Sequence, residues 1–250
     1  MGRAFEFRKE RKMKRWGHMA KTFTKIGKEI TIAVKQGGPD VVGNSRLRAL
    51  MAEARSENMP KDNVEKAIKR ALEKNQGDFK EVVFEGYGPH GIAYLVETAT
   101  DNNTRTVANV RSYFTKCGGS LGTSGSVSFM FDHKCVFRIK YQEGMDIDEL
   151  QLALCDCDDD PEVFIEEQED KDENITKNVV IYGAYESYGA IQKYIEDNGY
   201  ELVSGGFERI PNVELKDVTP EQRETLDKLT GLLEDDDDVT NVYSTLKPEE

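Results

Sequence analysis

The chain has 250 residues, 38% hydrophobic and 9% aromatic, with a formal net charge of −13 and four cysteines; such a length and apolar content fit two or three domains with buried cores. Cys117, Cys135, Cys155 and Cys157 form no C-x-x-C pair of the kind zinc and redox sites use, so a reduced, cytoplasmic protein is expected. No run approaches the ~20 apolar residues of a membrane span, and no apolar stretch follows the basic start as a secretory signal requires.

Charge is unevenly shared. Residues 1–76 hold 19 Lys and Arg against 9 Asp and Glu, whereas the remainder holds 15 against 38. A cationic surface concentrates polyanions and speeds their encounter, so nucleic acid is the expected partner of the first part. The acidic remainder is expected to stay off that polyanion and to engage protein. The simpler reading is that Lys and Arg merely solubilise exposed helix faces, and their placement decides between the two.

The start, RKERKMKRWGHMAK, holds Arg8, Lys9, Arg11, Lys12, Lys14 and Arg15 and reads as a short helix or arm. Glu6 and Glu10 set it apart from the acid-poor mitochondrial transit peptides. Trp16 either stacks on a base or anchors the arm to the helices that follow. Over 21–36, Phe23, Ile26, Ile30, Ala33 and Val34 recur at steps of three and four, and Gly37-Gly38-Pro39 stops the pattern, which predicts an amphipathic helix. Lys21, Lys25, Lys28 and Lys35 fall in a narrow arc opposite that stripe. A solubilising face mixes both signs, and only Glu29 sits near this row, so it is expected to be a contact surface. Ile32 beside it is an apolar exception.

A second helix is expected from Asn44 or Ser45 to Asn58, with Leu47, Leu50, Met51 and Ala54 inward and Arg46, Arg48 and Arg55 outward. A third lies in MPKDNVEKAIKRALEK, with Pro60 and Asp62 at its start and Val64, Ala67, Ile68, Ala71 and Leu72 at core spacing. Lys61 opens it, and Lys69, Arg70 and Lys74 end it, where cations also serve the helix dipole. No helix-turn-helix, zinc-finger or RNP signature accompanies these helices.

Beyond residue 80 the period changes. Runs 82–88, 91–100, 125–131 and 135–140 read as strands, and Val107, Val110 and Phe114 mark a helix over 103–117. From 135 onward the order is strand, helix (146–154), strand (163–169), strand (178–184), helix (188–198), strand (200–210), the split β-α-β-β-α-β arrangement of ferredoxin-like folds. Thr219-Pro220-Glu221 opens a last helix to Leu233, followed by a strand over 239–246. These two have no partner in the ferredoxin-like unit and would complete the earlier one. The expected fold class is therefore α+β. A three-helix-type domain (1–80) precedes a discontinuous α/β domain (81–133 plus 206–247), into which a ferredoxin-like domain (134–205) is inserted.

Signals for catalysis or cofactors are sparse. EGYGPHG (85–91) and GGSLGTSGSV (118–127) lack the Lys-Ser/Thr ending of a P-loop and read as turns. Asp156, Asp158, Asp160 and Glu167 match acid positions of an EF-hand loop, but Pro161 stands where the sharp turn needs Gly and a strand follows, so a solvated acidic loop is expected. His18, His90 and His133 lie in separate segments, and no Ser or Cys nucleophile motif is present. The chain is expected to be no enzyme and to use no metal or cofactor.

The segments FTKIGKEITIAVKQGG, NSRLRALMAEARSENMPKDNVEKAIKRA, EGYGPHGIAYLVETATDNNTRTVANVRSYFTKCGGSLGTSGSVSFMF and ERIPNVELKDVTPEQRETLDKLTGLLEDDDDVTNVYSTL resemble the YebC/PmpR family. The resemblance spans nearly the whole chain and departs at the start, GRAFEFRKERKMKRWGHMAK, where the family usually opens Gly-His-Ser-Lys-Trp. It implies a helical domain and two α/β domains, the third inserted in the second, in a cytoplasmic, non-enzymatic regulator. Family members are described as DNA-binding transcriptional regulators, mitochondrial relatives as translational activators, and some bacterial members as ribosome-linked. The implied partner is thus DNA or, alternatively, ribosomal RNA or tRNA; a ligand- or protein-binding scaffold is the third reading. The resemblance carries the charged positions Arg46, Arg48, Lys61, Lys69, Arg70, Arg105 and Arg111 together with Asn103. Asn103 and Arg105 have a second reading, as cap and buttress of the helix they open.

Overall fold

The structure, a computed structural model, describes residues 3–73, 78–169 and 175–248, with side chains of the first stretch described from residue 19 onward. It is α+β, with seven α-helices and two four-stranded sheets among the described residues.

The first helix, α1 (Arg3–Gly37), is a single element of 35 residues, roughly 50 Å long at about 1.5 Å per residue. The expected arm and the expected helix over 21–36 are thus one helix, because no Gly-Pro break or cap separates them. Ile32, the apparent exception on its basic side, is buried along with Ile30, Thr31, Ala33 and Val34, so this turn of α1 is enclosed all round. Next come α2 (Ser45–Ser56), capped by the Asn44 side chain, which accepts from Leu47 N–H, and α3 (Lys61–Leu72), entered through Pro60. Thr31 Oγ1 lies 3.3 Å from Ala67 O, which sets α1 beside α3. Leu72, placed at a core position by its spacing, is instead exposed, since α3 ends there.

The first sheet has the order β3-β1-β2-β8. Strands β1 (Lys80–Tyr87) and β2 (Ala93–Thr100) pair antiparallel from Lys80↔Thr100 to Tyr87↔Ala93. Helix α4 (Asn103–Lys116) follows, then β3 (Ser120–Leu121), a two-residue strand too short and Gly-flanked to read from the sequence. Helix α7 (Pro220–Glu234) and β8 (Val239–Ser244) return to this sheet at the end of the chain, β8 beside β2. One core joins Phe84, Tyr94 and Val96 of the sheet to Val110 and Phe114 of α4 and Leu226, Leu229 and Leu233 of α7. The opposite face is covered by Val127 and Phe131, packed on Ala93 and Leu95.

The expected strand over 125–131 is a tight loop instead. Gly125, Val127 and Ser128 turn their N–H groups to one acceptor, the Glu85 carboxylate, at 2.7, 2.7 and 2.8 Å. Amides gathered on a single acceptor cannot alternate along a ladder as a strand demands. A single 3-10 turn, Ser128–Met130, follows, and extended structure begins only at Phe131.

The second sheet has the order β5-β6-β4-β7, built from β4 (Phe131–Lys140), α5 (Ile147–Leu154), β5 (Glu162–Glu169), β6 (Ile175–Ala184), α6 (Tyr188–Asp197) and β7 (Leu202–Pro211). This is the ferredoxin-like arrangement, and in chain order it lies between β3 and α7. Its core gathers Phe137, Ile139, Val179 and Ile181 from the sheet, Leu150, Leu154, Ile191 and Ile195 from the helices, and Ala49 from α2.

Contacts group the chain into two compact units. One comprises Met1–Gln36, Met59–Phe131 and Pro211–Glu250, and the other Gly37–Asn58 and Asp132–Ile210. The three-way division read from composition and period cuts the chain differently: by contact, α2 packs with the ferredoxin-like sheet, while α1 and α3 go with the first sheet.

Close packing is what Gly119, in the second Gly-rich loop, serves. A Cβ on Gly119 would stand 2.6 Å from Tyr87 O and 3.0 Å from Gly88 Cα, both backbone atoms that cannot rotate away. Gly119→Ala is expected to cost about 1–3 kcal/mol, read as a lower denaturation midpoint; an unchanged midpoint would show that the β1–β3 edge is not tightly set.

Candidate nucleic-acid interface

The expected contact row on α1 is met by acids of its own chain. At the C-terminal end of α7 the chain enters the run Asp235-Asp236-Asp237-Asp238, which packs along that row. Lys21 Nζ lies 2.7 Å from Asp235 Oδ1, Lys25 Nζ donates to Glu234 O at 2.8 Å, and Lys28 Nζ donates to Asp237 O and Asp238 Oδ1, both at 2.7 Å. Lys35, further along, pairs with Asp78. Steps of four and three bring three ammonium groups to successive acceptors, and the unpaired carbonyls at a helix C-terminus are natural acceptors for cations. Burial lowers the pKa of Lys25, a cost that the nearby Glu234 opposes.

Asp238 is the hub of this contact. Its residue is 4% exposed. Oδ1 takes Lys28, and Oδ2 accepts from Arg105 Nη2 at 2.7 Å, Thr106 Oγ1 at 2.9 Å and Thr100 Oγ1 at 3.3 Å. Burial alone would raise the Asp238 pKa; hydrogen bonds from Lys28, Arg105 and Thr106 outweigh it and hold the group at about 2. Asp236 supports the turn by accepting from Tyr113 OH at 2.9 Å and Asn109 Nδ2 at 3.2 Å, while its Oδ1 receives the Asp238 N–H at 2.8 Å. Composition hid this cluster, because a run of four aspartates reads as solvated surface. A signal was nonetheless present: the lysine spacing on α1 and the acid run have matching length and opposite sign.

The remaining candidates fall in different places. Arg105 spans Asp101 and Asp238 at 3.0 and 2.7 Å, so it buttresses α4, and Asn102, one residue before Asn103, supplies the cap by accepting from Arg105 N–H. Arg111 is exposed on α4. On α3, Lys61, Lys69 and Arg70 are exposed, and the Arg70 guanidinium carbon lies 4.7 Å from the centroid of the Phe79 ring. Arg46 and Arg48 ride on α2 in the other unit. Arg48 Nη1 donates to Val41 O and Val42 O at 3.1 and 2.9 Å, and its Nε lies 2.9 Å from Glu196 Oε1, an ion contact without hydrogen-bond alignment. Arg46 is half-buried. Arg8, Lys9, Arg11, Lys12, Lys14 and Arg15, with Trp16 and His18, belong to the first half of α1; their side chains lie outside the described residues, as does Lys74.

The motifs weighed for other chemistry have structural tasks. Asp158, of the EF-hand-like run, is buried, and its carboxylate accepts from Ala184 N–H and Asp160 N–H at 2.8 and 3.0 Å. His133 stacks on Tyr185 with ring centroids 4.1 Å apart; burial, then the nearby Arg209, lowers its pKa to about 4, so it is neutral at pH 7. Among the described residues no group of three or more His, Cys, Asp or Glu is arranged to hold a metal ion. No described helix is long and apolar enough to cross a membrane.

Two family models match the chain: the N-terminal domain of TACO1/YebC proteins over residues 3–74 and their second and third domains over 79–246. A protein of Parabacteroides distasonis named "Probable transcriptional regulatory protein" is 60% identical over 250 residues, covering 100% of this chain and 98% of that one. A Bacteroides thetaiotaomicron protein of the same name is 58% identical with the same coverage. The crystal structure of a conserved hypothetical protein from Aquifex aeolicus superposes with a TM-score of 0.74 at 32% identity, covering 92% of this chain and 91% of that one.

Proposed function

The chain belongs to the TACO1/YebC family, and from that premise we propose that it is a non-enzymatic, cytoplasmic regulator that binds nucleic acid through residues 1–80, with DNA as the first target. The observation that carries this reading is how the cations divide along α1. Six Lys or Arg stand in residues 8–15 against the single acid Glu10, on the same continuous helix whose later lysines already hold Asp235, Asp238 and the carbonyls of Glu234 and Asp237. With the acid run committed to Lys21, Lys25 and Lys28, the cation-dense first half of α1 is the part suited to phosphates. The name that bacterial relatives carry supports a role in transcription. No helix-turn-helix, zinc-finger or RNP signature accompanies these helices, and the contacts proposed are those to phosphates, which position the duplex.

Two sets of substitutions test the division. Changing Arg8, Lys9, Arg11, Lys12, Lys14 and Arg15 to Gln is expected to flatten the salt dependence of duplex binding by several units, since each lost phosphate contact removes about 0.9 from the log–log slope. Reversing Lys21, Lys25 and Lys28 to Glu is expected to lower the denaturation midpoint sharply. An unchanged slope in the first set would sink the proposal. RNA in place of DNA is tested by sedimenting lysate through a sucrose gradient at low and moderate salt. DNase-sensitive association away from ribosomes supports transcription, and salt-sensitive, DNase-resistant comigration with ribosomes moves the target to RNA.

A further inference from the structure

We propose that Phe79 is a positioning residue that holds the Arg70 guanidinium as a pre-set fork for a phosphate of the bound nucleic acid; this rests on the reading of residues 1–80 given above. Phe79 lies just before β1, in a stretch fastened to α1 at two points. Asp78 pairs with Lys35, and Lys28 Nζ lies 5.4 Å from the centroid of the Phe79 ring. Lys28 is itself fixed by Asp238 and by Asp237 O. The ring therefore has a defined place, and Arg70, from the last turn of α3, lies over it at 4.7 Å.

The arginines of this chain differ in what their hydrogen-bonding edges already hold. Arg48 donates to Val41 O and Val42 O and stands in ion contact with Glu196, and Arg105 is spent on Asp101 and Asp238. Arg70 is exposed, and among the described residues no carboxylate pairs with it; the group it meets is a ring. A ring face attracts the cation without supplying the carboxylate oxygens that would occupy its N–H donors as strong hydrogen bonds do. A guanidinium that meets a ring and no carboxylate keeps N–H donors for a phosphate, and two of them in its planar fork match two phosphate oxygens. Holding it beforehand lowers the ordering cost of binding.

The test titrates full-length protein into a labelled DNA duplex and a labelled RNA hairpin, by fluorescence anisotropy over a range of salt. Arg70→Gln is expected to weaken binding about ten-fold and lower the salt slope by about one unit. Arg70→Lys keeps the charge and hence the slope, yet loses affinity because an ammonium cannot fork. Phe79→Leu keeps every charge, so it is expected to weaken binding about three-fold with the slope unchanged. Combined with Arg70→Gln, it should add nothing further. Thermal melts of each variant show whether the fold is intact, and Arg70→Lys, a surface change, reads the fork even where Phe79→Leu melts early. Wild-type affinity in Arg70→Lys, or full additivity of the pair, overturns the inference alone. A wild-type protein that binds neither probe overturns the nucleic-acid reading, and this inference with it.

Discussion

Asp238→Ala is expected to destabilise the unit built on the first sheet by about 3 kcal/mol, the lower end of what breaking a buried ion pair costs. The side chains of Asp238 and Lys28 are 6% and 11% exposed, so the lysine would be left with a single carbonyl partner in a place water scarcely reaches. Arg105 is 48% exposed and can turn to Asp101 and to solvent, which keeps the loss from being larger. Asp238→Asn retains an acceptor but no charge and should fall between wild type and alanine. The group also carries a pH signature. Its pKa is depressed to about 2 in the folded chain, against about 3.9 for an ordinary aspartate. A depressed carboxylate stabilises the fold fully above its unfolded pKa, and that contribution is lost as pH falls through the folded value. Wild type should therefore shed about 2 kcal/mol more than Asp238→Asn between pH 5 and pH 2, measured as denaturant midpoints at each pH. Parallel acid profiles for the two proteins would show that Asp238 is not the hub its bonds describe.

Local patterns were legible in the sequence where local forces decide. The three- and four-residue spacing of Phe23, Ile26, Ile30 and Val34 marks α1, and the Asn44 and Thr219 caps appear where expected, the latter as a full capping box with Gln222. The split β-α-β-β-α-β order of the second sheet and the return of α7 and β8 to the first follow from period and element count. The acceptors of Lys21, Lys25 and Lys28 were hidden for a different reason. They lie about 210 residues away in sequence, and a charge row looks the same whether its partner is a phosphate or a distant aspartate. Ile32 was opaque likewise, since a helix enclosed on all sides has no polar stripe to read. The packing of α2 with the ferredoxin-like sheet depends on Ala49 fitting among Cys135, Phe137 and their neighbours, which is tertiary information.

Glu85 presents the same lesson with the sign reversed, and its removal is the second large effect expected. The carboxylate is 5% exposed and, among the described residues, pairs with no cation; backbone amides of Gly125, Val127 and Ser128 hold it. Burial raises its pKa, and the amides of Val127, Gly125 and Ser128 more than reverse that, so the group is ionised at neutral pH. Glu85→Ala strands three donors at once. At about 1–3 kcal/mol for each buried unsatisfied group, and with water able to reach the half-buried amides of Gly125 and Ser128, a loss of about 2–4 kcal/mol is expected. Glu85→Gln conserves shape but turns an NH2 toward an N–H, so it should lose about half as much. The local reporter is hydrogen exchange. In both variants the amides of 125, 127 and 128 should exchange far faster, followed by those of β2, because Val127 and Phe131 cover Ala93 and Leu95 only while this loop stays closed. Protection at residues 127 and 128 that survives in Glu85→Ala would mean the loop closes without its anion. The glycines around it would then be the cause of the turn, and the carboxylate only its occupant.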